Sequence, residues 1–289
     1  MCALTLSILA LSLLLIVLGW STPLPQGWTP WRDQAVSLVG LIGAPVLGGL
    51  IASRRPRNPY GWLWLGFGLG LAFQLLAESY AAYALVVEPG SLPTPRTISR
   101  LLGLGGPLAL CFVPFLLLLF PTGGLPSRRW RTLAWTAAVA GAVLLALNLF
   151  FESPDEVGGT ITTMTVAAAF VIFAAVGLSA LSLVVRYRRA SGVERQQLKW
   201  FALVAVVAAS SLVGQLLGEA LWNLLDAATT TALYVAVGVA ILRYRLYDID
   251  VLINRTLVYG SLTVLLVATY FGGVVGLQYF FRALAGGGS

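Results

Sequence analysis

Two glutamates stand inside long apolar stretches of the chain, and each follows a glutamine by four residues. The pairs are Gln74–Glu78 and Gln215–Glu219, in the matching segments QLLAE and QLLGE. Because residues four apart share one face of a helix, each pair can form one polar patch. A charge near the centre of a bilayer costs about 2.5–3.5 kcal/mol or more, so such residues favour a functional role. We predict that these four residues line an outward-facing cavity that binds a small or cationic ligand or responds to protonation.

A second interpretation of these pairs stays open. Each glutamate could reach interfacial water, with its glutamine acting as a polar contact between helices. Other chemistry is scarce, because the chain has no histidine. Histidine-based catalysis and histidine metal sites are therefore excluded. Cys2 and Cys111 lie at the chain start and in an apolar run, so no disulfide is expected. We predict no catalytic residue, no metal site, no cofactor and no enzymatic activity for this chain.

The elements that carry these residues follow from composition. The chain has 289 residues, 58% hydrophobic and only 10% charged, with a mean hydropathy of +0.88. Soluble domains carry about 25% charged residues, so a soluble domain is excluded. Since about 20 apolar residues span a bilayer as a helix, we predict an all-α polytopic transmembrane bundle of nine spans, with eight to ten as the range. The spans lie in a single membrane domain, residues 1–285, followed by a Gly-rich tail, residues 286–289. They cover residues 3–20, 35–52, 62–85, 101–120, 132–151, 163–185, 200–221, 227–242 and 257–280.

The arginines predict the orientation of the spans. Fourteen of the eighteen basic residues fall in every second loop, around residues 54–57, 128–131, 186–199 and 243–255. Because basic loops stay on the cytoplasmic side, the N-terminus is expected inside and the C-terminus outside. The first span lacks a preceding basic region and is expected to remain uncleaved. The Gly-rich ending is typical of a turn before a further span, or else of a simple tail or linker.

Four loop segments have a definite composition. They are NPYGW at 58–62, FPTGGLPSRRWR at 120–131, GVERQQLKW at 192–200 and RYRLYDIDVLINRTLVYG at 243–260. In the first, Trp62 and Trp64 are expected at the membrane interface. The last mixes charges with aliphatic residues, which favours a short amphipathic helix on the membrane surface. We predict that it is an output element, or else an anchored connector. Its candidate residues are Arg243, Arg245, Asp248, Asp250, Asn254 and Arg255.

These four motifs, taken in order, resemble the multi-spanning membrane region of bacterial sensor histidine kinases of the actinobacterial and related Gram-positive type. The resemblance implies a signal-transduction module of a two-component system in the bacterial plasma membrane. Its partners would be the lipid bilayer, an unknown small ligand or peptide signal and a second copy of the chain, with no nucleic acid. It also implies a further span, a helix with a phospho-accepting histidine and an ATPase domain. This chain departs from the family there, since it contains no histidine.

Glycines and prolines bear on the alternative functions. The run GFGLG at 66–70 lies inside a span, so we interpret Gly66 and Gly70 as a close helix-packing face rather than a nucleotide loop. Pro107 and Pro114 are expected to kink the fourth span, which often marks a cavity or hinge.

A secondary transporter or permease is the main alternative function. A membrane enzyme is less favoured, because Asp248 and Asp250 diverge on a helix.

Overall fold

The computed structural model describes residues 1–120, 123–125, 127–151 and 159–189, and every regular element in these ranges is a helix. A π-helical segment, Tyr83–Val87, extends the fourth helix. The α-helices are α1 Cys2–Gly19, α2 Trp31–Leu41, α3 Gly43–Arg54, α4 Pro59–Ala82, α5 Pro95–Gly103, α6 Gly105–Leu118, α7 Trp130–Phe150 and α8 Gly159–Arg189.

Six helical stretches of the described residues are long and apolar enough to cross a bilayer. They are Cys2–Gly19, Trp31–Arg54, Pro59–Val87, Pro95–Leu118, Trp130–Phe150 and Gly159–Arg188. Each overlaps one of the first six predicted spans. The all-helical prediction is therefore confirmed for the described part of the chain, with six candidate membrane-spanning helices. The predicted spans at 200–221, 227–242 and 257–280, and the tail, lie outside the described residues.

Several helices begin before the apolar run that predicted them. The second stretch starts at Trp31 rather than at Ala35, and the fourth at Pro95 rather than at Leu101. Both starts sit beside a proline, whose fixed backbone angle suits the first helical turn. Asp33 then lies in the first turn of α2, where a negative charge complements the helix dipole. The predicted spans were drawn from apolar residues alone, so they left out the first helical turns, which contain charged residues.

Two of the six stretches are broken, and a proline explains each break. The second stretch is interrupted at Ile42 and the fourth at Leu104. Each break precedes a proline by three residues, Pro45 in α3 and Pro107 in α6. Proline has no N–H for the carbonyl four residues earlier, and its ring crowds that carbonyl. The helix is therefore interrupted near Pro107, whereas α6 runs through Pro114 without interruption.

The α4 helix passes between the second halves of the two broken stretches. A β-carbon on Gly68 would lie 3.0 Å from Cδ of Pro45 in α3. A β-carbon on Gly70 would lie 2.7 Å from the carbonyl oxygen of Gly105 in α6. On Gly66 it would lie 2.6 Å from the ring of Phe112. These glycines allow the helix backbones to approach closely, which confirms the packing face predicted for the GFGLG segment.

Two apolar clusters form the core of the described helices. The larger one joins α1, α2 and α4 through residues such as Ile16, Trp31 and Leu75. The smaller one joins α7 to α8 through Leu144 and Ile172. The other faces of α7 and α8 expose large apolar side chains, among them Trp135, Phe150 and Phe170. Lipid tails are as apolar as these side chains, so such a face is suited to a bilayer.

Candidate functional site

The first predicted polar pair lies near the C-terminal end of α4. Gln74 Nε2 donates a hydrogen bond of 2.9 Å to Glu78 Oε1, and both side chains are partly exposed. The two residues therefore share one face of the helix, as their spacing predicts. At a rise of about 1.5 Å per residue, Glu78 lies about 28 Å along the helix from Pro59. The pair belongs to the end of the bundle where α4 ends and α5 begins, which we call the polar end.

The Gln74 side chain lies against the break in the fourth stretch. A β-carbon on Gly106 would come within 2.8 Å of Gln74 Oε1, and one on Gly105 within 2.8 Å of the Gln74 backbone nitrogen. Both glycines begin α6, directly after the interruption at Leu104. The Gln74–Glu78 pair thus sits beside the segment that Pro107 disrupts.

The other members of the predicted sites lie outside the described residues. These are Gln215 and Glu219 of the predicted cavity, and Arg243, Arg245, Asp248, Asp250, Asn254 and Arg255 of the predicted output element. The four-residue cavity and the output element therefore remain predictions. Of the four residues of the predicted cavity, the structure describes Gln74 and Glu78.

A second polar pair at the same end escaped the sequence reasoning. Ser79 Oγ lies 3.0 Å from Gln34 Oε1 and 2.8 Å from the Leu75 carbonyl oxygen, so its hydroxyl bonds within α4 and to α2. Gln34 Nε2 donates to the Thr29 carbonyl at 2.9 Å, and the Gln34 side chain is only 1% exposed. The pair was missed because the predicted span began at Ala35. Pro30, directly before the helix, is the signal that could have placed Gln34 inside it.

Two tyrosines connect the loop after α4 to that part of the chain by hydrogen bonds. Tyr83 Oη donates to Glu88 Oε2 at 3.0 Å, and Tyr80 Oη donates to the Pro93 carbonyl at 2.8 Å. The π-helical segment Tyr83–Val87 begins at the second of these tyrosines, and this local form is often found at functional sites. The polar end therefore combines hydrogen-bonded side chains with irregular backbone.

At the opposite end of the bundle, two of the loop motifs are in contact. Asn58 Oδ1 accepts a hydrogen bond of 2.9 Å from the Tyr60 N–H and so caps α4, with Pro59 at the first helical position. Gly123, at φ +79°, lies so close to Asn58 that a β-carbon would be 2.9 Å from Asn58 Cγ. We call this the basic end, because arginines of the loops around 54–57 and 128–131 and of the α8 C-terminus flank it.

Aromatic rings from the same two motifs fill the space behind that contact. The Tyr60 and Phe120 ring centroids are 5.9 Å apart, those of Tyr60 and Trp64 are 6.4 Å apart, and all three side chains are buried. Trp64 is 1% exposed and packs beside Gly48 of α3, so its ring lies inside the bundle, and its expected depth at the membrane interface stays a prediction. Trp62 is 49% exposed, and its indole N–H donates to the Pro56 carbonyl at 3.0 Å.

An arginine from α8 completes this arrangement. The Arg186 guanidinium donates one hydrogen bond to the Phe120 carbonyl and another to the Leu118 carbonyl. These carbonyls lie at the C-terminal end of α6, where no further helical N–H follows and a cation is favoured. We call the group Asn58, Tyr60, Trp64, Phe120, Gly123 and Arg186 the basic junction. It joins α4, α6 and α8.

Comparisons with known proteins add no relative to this picture. No protein family, curated protein or solved structure matches the chain. The functional interpretation therefore depends on the basic junction, on the polar end and on the loop motifs themselves.

The chemistry available to these sites is hydrogen bonding and charge recognition. Within residues 1–120, 123–125, 127–151 and 159–189, no three His, Cys, Asp or Glu side chains are grouped so that they could hold a metal ion. Cys2 and Cys111 are free thiols. The polar end presents a carboxylate and amides, whereas the basic junction joins three helices through buried rings and a guanidinium.

Proposed function

We propose that the chain is the membrane-embedded sensor module of a bacterial two-component histidine kinase, lying ahead of the catalytic half. The observation that carries this proposal is the basic junction. The motifs NPYGW and FPTGG, which contribute to the resemblance, contact each other there although Phe120 follows Tyr60 by 60 residues. Their contact makes the two motifs parts of one packed site, which supports their being retained together.

The junction supports signalling for a mechanical reason. A sensor must transmit a change at one end of its helices to the other, and helices with fixed mutual contacts move together. Through Tyr60, Phe120 and Arg186, a displacement of α4 or α6 at the polar end would reach the end of α8. Such coupling needs an element with two arrangements, and the proline-broken fourth stretch is our candidate for it.

The proposal includes nine spans with the N-terminus in the cytoplasm, because basic loops favour that side of the plasma membrane. The signal would be a small ligand or a peptide, and a second copy of the chain a partner in the membrane. Reporter fusions within 186–199 and at Ser289 should then report opposite sides of the membrane. Cytoplasmic reports from both fusions would contradict the nine-span count.

The signalling proposal is tested by fusing the chain, through an added transmembrane span, to the kinase half of a bacterial sensor histidine kinase. Arg186→Gln should shift the basal autophosphorylation at unchanged membrane abundance, because it releases α8 from the α6 carbonyls. Arg188→Gln is the matched control, since Arg188 is exposed on the same helical turn. Equal autophosphorylation of both variants and the parent would refute the sensor function of the junction.

A secondary transporter is the second candidate, and the broken helices favour it. Transporters often place substrate between discontinuous helices, and here two proline-broken stretches flank α4. Proteoliposomes that contain only this chain provide the test. Accumulation of a solute against its gradient, abolished by Glu78→Gln, would favour transport over sensing.

A further inference from the structure

The surface of the basic end carries arginines from three neighbouring segments. They come from the end of α3, the loop before α4 and the segment that leads into α7, and all five side chains are exposed: Arg54, Arg57, Arg128, Arg129 and Arg131. The acidic residues of the described ranges, Asp33, Glu78 and Glu88, belong to the polar end instead. The two ends of the described helices therefore differ strongly in charge.

The positive excess at this end does not depend on which residues the structure describes. The loops predicted on this side of the membrane contain 14 of the 18 basic residues of the whole chain. The same loops contain three acidic residues, Glu194, Asp248 and Asp250. Even if all three lay against the arginines, basic residues would outnumber acidic ones more than fourfold. The surface therefore favours an anionic partner.

The contact between Asn58 and Gly123 brings two of the arginine segments onto one surface. Arg57 directly precedes Asn58, and Arg128 follows Gly123 by five residues. The Gly123 N–H donates to the Leu119 carbonyl at 2.7 Å, so the chain turns at the end of α6 before it reaches Arg128. Arg57 and Arg128 thus lie on adjacent loops, and neither loop alone would provide both.

Indole rings accompany the arginines on both loops. The Trp62 N–H donates to the Pro56 carbonyl at 3.0 Å, so this half-exposed ring lies on the loop that carries Arg57. Trp130, which is half-buried, begins α7 next to Arg129 and Arg131. Indole rings favour the depth of the lipid headgroups, and a guanidinium matches the oxygens of a phosphate group. Cations and indoles together suit a phospholipid better than a soluble anion.

We propose that the surface formed by Arg57 and by the arginines of 128–131 binds the headgroup phosphate of an anionic phospholipid, at the place where Asn58 meets Gly123. Phosphatidylglycerol, with one negatively charged phosphodiester, is a lipid of this class. The inference goes beyond the proposed function, since the binding requires neither a kinase half nor a signal. The surface would remain a lipid site if the sensor proposal failed.

The test titrates the full chain in detergent micelles with phosphatidylglycerol or with zwitterionic phosphatidylcholine, while native mass spectrometry counts the bound lipids. The Kd of the first phosphatidylglycerol should be lower by about fivefold or more, the contribution expected of one arginine near an anionic headgroup. Arg57→Gln together with Arg128→Gln should weaken phosphatidylglycerol binding about tenfold or more. Arg32→Gln with Arg96→Gln is the matched control, since it removes the same charge from exposed positions at the polar end.

A second pair of variants tests the contact between the loops without any change of charge. Gly123→Ala places a β-carbon against Asn58 at a φ of +79°, which alanine rarely adopts. The loops should then separate, and phosphatidylglycerol binding should fall about fivefold or more, as for the loss of one arginine. Gly90→Ala is the control, because Gly90 has a φ of +89° at the polar end, and among the described residues no atom lies within 4 Å of an added β-carbon. Circular dichroism checks that both variants fold, and the exposed arginine variants decide alone where Gly123→Ala does not.

A last arm separates the lipid from a soluble phosphate. Inorganic phosphate at constant ionic strength should not displace phosphatidylglycerol, because it lacks the acyl chains that hold a lipid at the protein surface. Full displacement would overturn the inference in favour of a soluble anion. Equal affinities for the two lipids, equal losses in the two double arginine variants, or unchanged binding by a folded Gly123→Ala protein would overturn it as well.

Discussion

The basic junction and the polar end are held together by different kinds of contact. At the basic junction, buried aromatic rings and the Arg186 guanidinium join three helices that are far apart in sequence. At the polar end, hydrogen bonds such as Gln74–Glu78 and Gln34–Ser79 stand beside the apolar packing of Trp31 and Leu75, and a cavity is left between helices. The basic junction is thus the more tightly packed of the two, and substitutions there should cost more stability than substitutions of polar side chains at the polar end.

The largest effect should follow from removing a ring of the basic junction. Phe120→Ala should lower the free energy of unfolding by about 3–5 kcal/mol, because a fully buried aromatic side chain leaves a cavity. Trp62→Ala, at a half-exposed position in the same region, should cost much less. Denaturation of both variants in mixed detergent micelles measures the difference. Equal losses would contradict a tightly packed basic junction.

The second effect concerns the arginine fork. Arg186→Gln should cost about 1.5–3 kcal/mol of stability, since two carbonyls at the end of α6 lose a charged donor. Arg188→Gln removes the same charge from an exposed position of α8 and should leave the unfolding free energy within about 0.5 kcal/mol of the parent. Equal losses of unfolding free energy in the two variants would contradict this prediction, because they would show that the hydrogen bonds of Arg186 add nothing to the effect of its charge.

The sequence predicted the elements of both ends better than their contacts. Apolar runs predicted the six candidate membrane-spanning stretches, Pro107 marked the region of a break, and Gly66 and Gly70 predicted a close approach. The partners across helices were not predictable, because membrane helices are apolar on most faces and the sequence does not indicate which face is buried. Gln34 was left out of the predicted span for a related reason, since it precedes the apolar run although it lies inside α2.

A smaller effect is expected from the buried pair at the polar end. Gln34→Leu and Ser79→Ala each remove one partner of the hydrogen bond between α2 and α4. The coupling energy of the double-mutant cycle should be about 0.6 kcal/mol and not above about 1.7 kcal/mol, as for other hydrogen bonds between membrane helices. Unfolding of the two single variants and the double variant gives this value. A coupling as large as the loss in Phe120→Ala would remove the distinction between the ends.

The smallest effect on stability should come from Glu78→Gln. Glutamine keeps the shape of the side chain and an oxygen that can accept from Gln74 Nε2, and position 78 is partly exposed. The free energy of unfolding should therefore stay within about 0.5 kcal/mol of the parent. Only the negative charge is lost, so any functional change isolates the contribution of charge.

That property makes Glu78→Gln the sharpest test of the polar end. If Glu78 receives a signal, the variant fused to a kinase half should change the basal phosphorylation although its stability is unaltered. Glu88→Gln is the control, because Glu88 is an exposed carboxylate at the same end, bound by Tyr83. If both variants signal like the parent, Glu78 merely reaches interfacial water.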